Sequence, residues 1–303
     1  MKSKKYYLNS IIDFGKYKGF TLEEVYKNKP DYISWCIENL WFFEIDQSIK
    51  DELEKDNIEL ISTISNYKKI SSRMYANTKT WNPFVGCKYE CEYCKVSFQR
   101  QYKRRGKKNH DCYYFIPHVH EERLNKIPNS EIVFVSGFGD ISFCPKEYTK
   151  KIINSIIIKN LKRPDTIYYL QSKNPQYFKN FINILPNNVI ILITLETNRD
   201  KNYNLFSKAP VPSKRYKDFV ELDYPRKVIT IEPIMDFDLE IFSEWLINAK
   251  PEYIWLGFNS RPKQVNLDEP KNDKVKNLIK ILKNANIKVQ PRCETRGINF
   301  DEI

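Results

Sequence analysis

Apolar, strand-like runs alternate with helix-like segments from residue 131 onward, and this alternation constrains the fold more than any other feature. The runs are rich in β-branched and aromatic residues, which is typical of parallel strands buried on both faces. The intervening segments carry apolar residues at intervals of three and four, the period of a helix. Repeated βα units predict an α/β fold with a parallel sheet that is closed, or partly closed, into a barrel. The predicted strands are a first one near 79–83, then 131–138, 166–172, 189–197, 227–233, 253–259 and 287–293, and the predicted helices are 146–161, 175–185, 239–249 and 273–285.

Polar or charged residues stand at the ends of these predicted strands. In barrels of parallel strands, catalytic residues lie at the carboxyl ends of the strands. Each of these residues has an ordinary explanation as a cap or a turn residue, but together they predict a polar ring at one end of the barrel. The ring consists of 137–140, 171–173, 196–198, Glu232 and 259–261.

Three cysteines, Cys87, Cys91 and Cys94, follow the first predicted strand in the spacing C-x3-C-x2-C. A loop this short can direct three thiolates at one point, but it supplies no fourth. Iron–sulfur clusters are held by cysteine thiolates, usually four, so three ligands would leave one iron open. Charged residues between the cysteines disfavour a purely apolar, buried stretch. Structural zinc is the second hypothesis, with Cys112 or a histidine as the fourth ligand.

The motif, with Tyr93 directly before its last cysteine, resembles that of the radical S-adenosylmethionine (radical SAM) superfamily. The resemblance covers about residues 78–297 and implies a partial (β/α)6 barrel. It also implies a 4Fe-4S cluster on the three cysteines, with S-adenosylmethionine (SAM) chelated at the open iron. Reductive cleavage of SAM to a 5′-deoxyadenosyl radical would follow, with an electron donor such as a flavodoxin or a ferredoxin.

Within the superfamily, the closer match is a phage-associated set of proteins that is itself similar to spore photoproduct lyase, a DNA-repair enzyme. Four segments carry this narrower likeness, and they do not supply a substrate. They are 81–87, 172–175, 195–198 and 230–238.

The resemblance further assigns residues around SAM. The backbone near Tyr93 would contact the adenine, Glu196 would bind the ribose hydroxyls, and Lys173 is the candidate partner of the SAM carboxylate. One segment occupies the place of the family's Gly-Gly-Glu motif, whose backbone binds the SAM amino group, and Asp140 is expected to contribute there. That segment departs from the motif at its second and fourth residues and consists of Gly137, Phe138, Gly139 and Asp140.

Two further cysteines, Cys144 and Cys293, lie near predicted strand ends. The S–H bond of a thiol is weak, so either could return a hydrogen atom to a product radical, and the alternative is a buried structural thiol. The chain contains seven cysteines, and we find neither an apolar leader nor a stretch of membrane-spanning length. We therefore expect no membrane association and a reducing, cytoplasmic location in which an iron–sulfur cluster survives.

Residues 1–70 are expected to form a small helical module with a linker, followed by the catalytic domain at 71–303. Thr21 and Glu24 predict a capping box at a helix start, and Pro30 is expected to stop that helix or to start the next one. Apolar residues then recur at helical spacing and are interpreted as core, namely Tyr32, Trp35, Cys36 and Leu40. The segment resembles the small module at the carboxyl terminus of exodeoxyribonuclease X-like proteins, which implies an accessory role towards DNA or RNA.

The formal net charge of +12 favours an anionic partner, nucleic acid first, although an AT-rich genome also produces Lys-rich chains. A basic run after the cysteine loop interleaves with aromatic residues. Basic residues neutralise phosphates and aromatic faces stack on unpaired bases, whereas the alternative is a solvated loop followed by core aromatics. The predicted nucleic-acid contacts are Arg100, Lys103, Arg104, Arg105, Lys107 and Lys108.

All three histidines, His110, His118 and His120, lie close to this run, where polar surface histidines are commoner than metal ligands. The leading hypothesis is a radical SAM enzyme that modifies or repairs nucleic acid. One alternative is a radical SAM enzyme acting on a protein, a peptide or a small molecule. The other is a zinc-binding, nucleic-acid-binding protein without redox chemistry.

Overall fold

The computed structural model describes residues 4–29, 78–105, 109–292 and 294–303, and within 30–77 only 32, 33, 36, 40 and 43–45. The chain divides into two compact units, one of residues 1–70 with 156–165 and one of residues 71–155 with 166–303. The predicted boundary near residue 70 falls outside the described residues and stays a prediction.

The first unit contains strand β1 (Lys4–Tyr6), helix α1 (Leu22–Asn28) and strand β2 (Phe43–Ile45). The predicted capping box is confirmed, since the Thr21 side chain accepts from the Glu24 N–H at 3.2 Å and the Glu24 carboxylate accepts from the Thr21 N–H at 2.8 Å. The strands β1 and β2 pair in parallel, a feature that the sequence did not predict because each has only three residues.

The core of this unit is a buried cluster that includes Tyr32, Cys36 and Leu40, which confirms their interpretation as packing residues. Trp35 and Pro30 lie outside the residues that the structure describes.

A seven-stranded parallel sheet dominates the second unit. Its strands follow one another in chain order, without the reversal that defines a doubly wound sheet, and β3 and β11 form its two edges. The prediction of an α/β fold with a partial barrel is therefore confirmed, with six strand-and-crossover units before the last strand. The strands are β3 (Thr78–Trp81), β6 (Ile132–Val135), β7 (Ile167–Ser172), β8 (Val189–Thr194), β9 (Lys227–Ile231), β10 (Tyr253–Leu256) and β11 (Val289–Pro291), while β4 (Phe84–Val85) and β5 (His118–Val119) form a separate antiparallel pair.

Helices and turns form the crossovers. The helices are α2 (Glu92–Cys94), α3 (Arg100–Arg105), α4 (His110–Tyr114), α5 (Lys146–Asn160), α6 (Pro212–Val220), α7 (Leu239–Asn248) and α8 (Asn272–Asn284).

The predicted helix at 175–185 is wrong, because this segment forms the 3₁₀ turns Pro175–Asn180 and Ile182–Ile184 instead. The Asn180 side chain donates to the Tyr177 carbonyl at 2.7 Å, a local bond of the kind that competes with helix formation.

Several strands end earlier than predicted, and this shortening produces the loops of the site. The prediction 189–197, for example, becomes Val189–Thr194, with all six residues buried. The polar residues that follow do not continue the backbone pairing with the adjacent strands, because their side chains bond to neighbouring loops. Thr197 donates to the Asp236 carbonyl at 2.6 Å, and Asn198 accepts from the Asp238 N–H at 2.9 Å.

Candidate active site

Backbone hydrogen bonds join the cysteine loop to the 137–140 segment. The Gly86 N–H donates to the Phe138 carbonyl at 3.0 Å, and the Asp140 N–H donates to the Gly86 carbonyl at 3.2 Å. A side chain at Gly139 would overlap the Gly86 backbone, so only glycine permits this close approach.

The three motif cysteines pack into one apolar cluster with Tyr89 and Tyr203. Cys91 precedes α2 and is buried, with its sulfur 3.0 Å from the Ser207 hydroxyl. Desolvation raises the pKa of the Cys94 thiol to about 12 and also raises the pKa of Cys87. Because a metal binds the thiolate, loading this site would release protons. Three thiols in one cluster are a donor set that fits an iron–sulfur cluster.

Beside the cysteines lies a buried carboxylate, Glu196, that accepts hydrogen bonds from four side chains. One of its oxygens accepts from Tyr203 at 3.1 Å and also from Tyr93 and Lys173. The other oxygen accepts from Arg215 at 2.8 Å. The predicted residues Tyr93, Lys173 and Glu196 are thus brought together, and the aromatic residue of the cysteine motif bonds directly to the end of β8.

The charges of this network leave an excess of one positive charge. Burial acts to raise the pKa of Glu196, but the Arg215 guanidinium and the Lys173 ammonium outweigh it and hold this pKa well below its usual range. Burial acts in the opposite direction on Lys173, yet nearby anionic groups keep its pKa raised. Two buried cations therefore face one buried anion at neutral pH.

The Asp140 carboxylate accepts hydrogen bonds from two neighbouring segments of the chain. One carboxylate oxygen accepts from the Ser142 N–H at 3.0 Å, the Ser142 hydroxyl at 2.7 Å and the Ser172 hydroxyl at 2.6 Å. The other oxygen accepts from the Lys173 N–H at 2.8 Å. The carboxylate therefore ties the ends of β6 and β7 together and has little acceptor capacity left. Its contact with the SAM amino group stays a prediction.

Sequence reasoning missed Arg215 and Tyr203, which complete the network. Arg215 is fully buried and comes from α6, and its guanidinium lies 4.9 Å from the centre of the Tyr203 ring. Neither residue belongs to a motif or to a predicted strand end. The sequence signal for Arg215 is weak, a single arginine in the short helix α6.

A row of polar side chains across the sheet was also missed. Thr194, Thr230, Trp255 and Gln290 occupy paired positions on adjacent strands and therefore share one face. Among the residues described, the Thr230 hydroxyl, the Trp255 indole N–H and both Gln290 amide atoms are buried without a hydrogen-bond partner. We call these four residues the polar row. The sequence could have indicated this row, since three of the four residues are polar and stand within otherwise apolar strands.

The next row towards the strand ends contains an ion pair between Glu232 and Arg292. A side chain at Gly257 would approach both partners, so this glycine leaves room for the pair. Burial raises the pKa of Glu232 even though Arg292 acts to lower it. The predicted strand-end residue Glu232 therefore lies directly above the polar row.

Two other residues of the predicted polar ring, Asn198 and Asn259, act as cap or turn residues. Asn198 caps the loop before α7, as described above. The Asn259 side chain accepts from the Arg261 N–H at 2.9 Å and donates to the Val265 carbonyl at 2.8 Å. Neither residue bonds to Glu196 or Lys173.

The basic run is divided between exposed and undescribed residues. Arg100 and Lys103 are exposed on α3, and the Lys103 ammonium lies 5.7 Å from the centre of the Tyr113 ring. Tyr113 and Tyr114 are 37% and 59% exposed, so they could stack on a base, whereas Tyr102 and Phe115 are core residues as the alternative expected. The side chains of Arg104 and Arg105, and the whole of Lys107 and Lys108, lie outside the described part of the chain.

The candidate hydrogen donors remain untested. Cys144 is buried after the turn Ile141–Phe143, and burial raises the pKa of its thiol to about 12. Cys293 is outside the described residues. Cys112, the fourth ligand of the zinc hypothesis, lies against His118 and His120.

Within the described ranges, every helix is too short or too polar to cross a membrane.

Comparison with known proteins gives a family match within the first unit and several solved structures of low similarity. A family model described as exodeoxyribonuclease X-like C-terminal matches residues 12–40. The search of curated proteins found no match.

Similar solved structures include Streptococcus suis SuiB bound to S-adenosylmethionine, which is 12% identical with a TM-score of 0.46 over 89% of this chain. Spore photoproduct lyase complexed with dinucleoside spore photoproduct is 11% identical with a TM-score of 0.47, over 71% of this chain and 76% of that chain. TYW1 with a lysine-pyruvate adduct bound is 15% identical with a TM-score of 0.43, over 79% of this chain and 90% of that chain. The chain spans 62% of the SuiB chain. At these values the similarities assign no activity, and none of them bears on a phage association.

Proposed function

We propose that this chain is a radical SAM enzyme that holds a 4Fe-4S cluster on Cys87, Cys91 and Cys94 and modifies or repairs nucleic acid. One observation carries the proposal above all others. Tyr93, which stands inside the cysteine motif, donates a hydrogen bond to Glu196 at the carboxyl end of β8. The cysteine loop is thereby bonded to the end of the barrel where catalytic residues are expected.

The residues around the cysteines would bind and orient SAM. The excess positive charge of the Lys173–Glu196–Arg215 network suits the SAM carboxylate, and Lys173 is its proposed partner. Glu196 bonds to the side chains that surround it, so we assign it the orientation of Lys173 and Tyr93 in addition to the predicted ribose contact. Cys87, Cys91 and Cys94 would hold the cluster, whose chemistry would be the one-electron reduction of SAM to methionine and a 5′-deoxyadenosyl radical.

The polar row would recognise an uncharged part of the substrate. Its hydroxyl, indole and amide groups offer donors and acceptors without a net charge, which suits the edge of a nucleobase taken out of its stack. A peptide amide or a small polar molecule has the same character and is the second candidate.

Three observations favour nucleic acid over that alternative. They are the net charge of +12, the exposed Arg100, Lys103, Tyr113 and Tyr114, and the exodeoxyribonuclease X-like match at residues 12–40. The enzyme would work in the cytoplasm, where a flavodoxin or a ferredoxin could reduce the cluster.

Anaerobic reconstitution of the full chain tests the proposal. We expect about four irons per chain and production of 5′-deoxyadenosine from SAM and a chemical reductant, with more product when DNA or RNA is added. A chain that retains no iron and forms no 5′-deoxyadenosine would overturn the radical SAM assignment. Stimulation by peptides, and not by DNA or RNA, would instead overturn the substrate class alone.

A further inference from the structure

A second group of metal-binding side chains lies outside the proposed active site. The Cys112 sulfur is 3.3 Å from His118 Nε2 and 3.4 Å from His120 Nε2, and the three ligand atoms lie within 4.8 Å of one another. Cys112 and His120 are 3% and 5% exposed. We call these three residues the Cys-His-His group.

The hydrogen bonds of the two imidazoles orient both rings towards the Cys112 sulfur. His118 Nδ1 lies 2.7 Å from the Ile116 carbonyl, and His120 Nδ1 lies 2.9 Å from the Glu122 carboxylate. Both partners are acceptors, so each Nδ1 is placed to donate a hydrogen bond, and the Nε2 atoms of both rings lie against the Cys112 sulfur.

A metal ion would satisfy all three ligand atoms at once. A tetrahedral zinc with its usual bond lengths to sulfur and nitrogen separates these atoms by about 3.5 Å, close to the two distances observed. Histidine ligands characteristically donate their other ring N–H to a carbonyl or a carboxylate, as both rings do here. The Tyr102 hydroxyl, 3.3 Å from the Cys112 sulfur, is placed to donate a hydrogen bond to the thiolate.

We propose that Cys112, His118 and His120 bind a zinc ion that is separate from the iron–sulfur cluster, with a water molecule as the fourth ligand. One thiolate and two imidazoles suit zinc among the divalent metals of the cell. Three protein ligands and a water make an open coordination sphere, unlike the closed four-ligand set of structural zinc sites, but a metal at this position would still stabilise the local fold. His118 lies on β5 opposite Val85 of β4, and the Cys87 N–H donates to the Phe115 carbonyl at 3.3 Å. The zinc would therefore fix the segment against which the cysteine loop packs.

The test uses a background in which Cys87, Cys91 and Cys94 are all replaced by Ala, so that the loop holds neither iron nor zinc. We expect one zinc per chain by elemental analysis in this triple variant and none after His118→Ala is added. His118 is the partly exposed ligand, so this replacement is the mildest of the three. His110→Ala is the matched control, because His110 is exposed and pairs with Asp111 at 3.0 Å outside the group.

Two further readouts keep the test independent of folding defects. Cobalt(II) should give the visible bands of a tetrahedral thiolate site in the triple variant and in its His110→Ala form. Added zinc should raise the thermal midpoint of the triple variant and leave that of the His118→Ala form unchanged. The proposal is overturned if zinc is present in the wild type but absent from the triple variant, or if cobalt binds equally well with and without His118. Copper as the resident metal would overturn the assignment of zinc.

Discussion

The two cysteine-containing sites of the second unit are built in opposite ways. The thiols of the cysteine loop depend on partners far along the chain, since Tyr93 bonds to Glu196 and Glu196 in turn to Arg215. The Cys-His-His group takes all of its ligands from residues 112–120, and the partners of its rings also lie within or next to this stretch. The first site therefore depends on a correctly folded barrel, whereas the second depends only on the conformation of its own loop.

The charges of the two sites differ in the same way. The cysteine loop faces a buried network with two cations and one anion, which can hold a charged cofactor. The Cys-His-His group consists of one thiol and two imidazoles, a set of ligands that suits a metal cation. Changes in the barrel should therefore damage the first site and spare the second.

The largest effect is expected from the motif cysteines themselves. Replacing any one of Cys87, Cys91 and Cys94 by Ala should abolish iron retention and SAM cleavage, because three protein ligands are the minimum for this cluster. Iron per chain and 5′-deoxyadenosine formation are the measurements. Cys36→Ala is the control, since Cys36 is buried in the core of the first unit. Full iron content and SAM cleavage in Cys91→Ala would contradict the assignment.

A smaller but still large effect is expected for Glu196→Gln. Removing the anion leaves the Lys173 and Arg215 cations buried without compensation, which should lower the free energy of unfolding by about 3–5 kcal/mol. Denaturant unfolding measures this change. Glu147→Gln is the matched control, because Glu147 forms an exposed pair with Lys150 and should change stability little. Loss of zinc from the Cys-His-His group in Glu196→Gln would contradict the independence of the two sites.

The wild type and the Glu196→Gln variant should also differ in the way their stability responds to acid. The pKa of Glu196 is lowered in the folded protein, because the neighbouring cations outweigh the effect of burial. A group whose pKa is lowered on folding stabilises the folded protein at pH values above its unfolded-state pKa of about 4.3. This stabilisation is lost as the pH falls towards the folded-state pKa. The difference in unfolding free energy between wild type and Glu196→Gln should thus be constant near neutrality and shrink below about pH 4. A difference that grows in acid would contradict the ionised network.

Asp140→Ala is expected to have an intermediate effect, limited to the affinity for SAM. The variant should keep its cluster and bind SAM about 1–3 kcal/mol more weakly, because a charge-assisted hydrogen bond is lost or the joined ends of β6 and β7 loosen. Equilibrium binding to the reconstituted protein measures it. Ser142→Ala, which removes one donor to Asp140 and keeps the carboxylate, separates the two causes. Unchanged SAM affinity in Asp140→Ala would remove this residue from the site.

The smallest effect on either metal site should come from the basic run. Replacing Arg104, Arg105, Lys107 and Lys108 by Gln should weaken binding to DNA and RNA and lower its salt dependence, because fewer counterions are released. Both metal contents should stay at the wild-type level. Lys276 and Lys280 on α8 offer a control pair of lysines away from this segment. Equal affinity of variant and parent, or no binding by the parent, would contradict the nucleic-acid interface.

The sequence predicted those parts of the molecule that depend on local pattern. The strands, the cysteine motif and the capping box at Thr21 follow from periodicity and spacing, and the structure contains them. Arg215 and the polar row could not be placed, because their role depends on the pairing of strands and the docking of α6. The bond from the Ser172 hydroxyl to Asp140 could not be placed either, because it depends on the pairing of β6 with β7.

The short span of the Cys-His-His group has a consequence for the order in which the protein matures. Closing a loop of nine residues costs little chain entropy, so residues 112–120 can meet soon after they are synthesised. The pairing of Thr78 with Ile132 and the meeting of Tyr93 with Glu196 require segments that are much farther apart in the chain. Zinc would then be loaded first and would hold β5 in place. Iron would enter only after β8 and α6 have been added, when the rest of its surroundings exist.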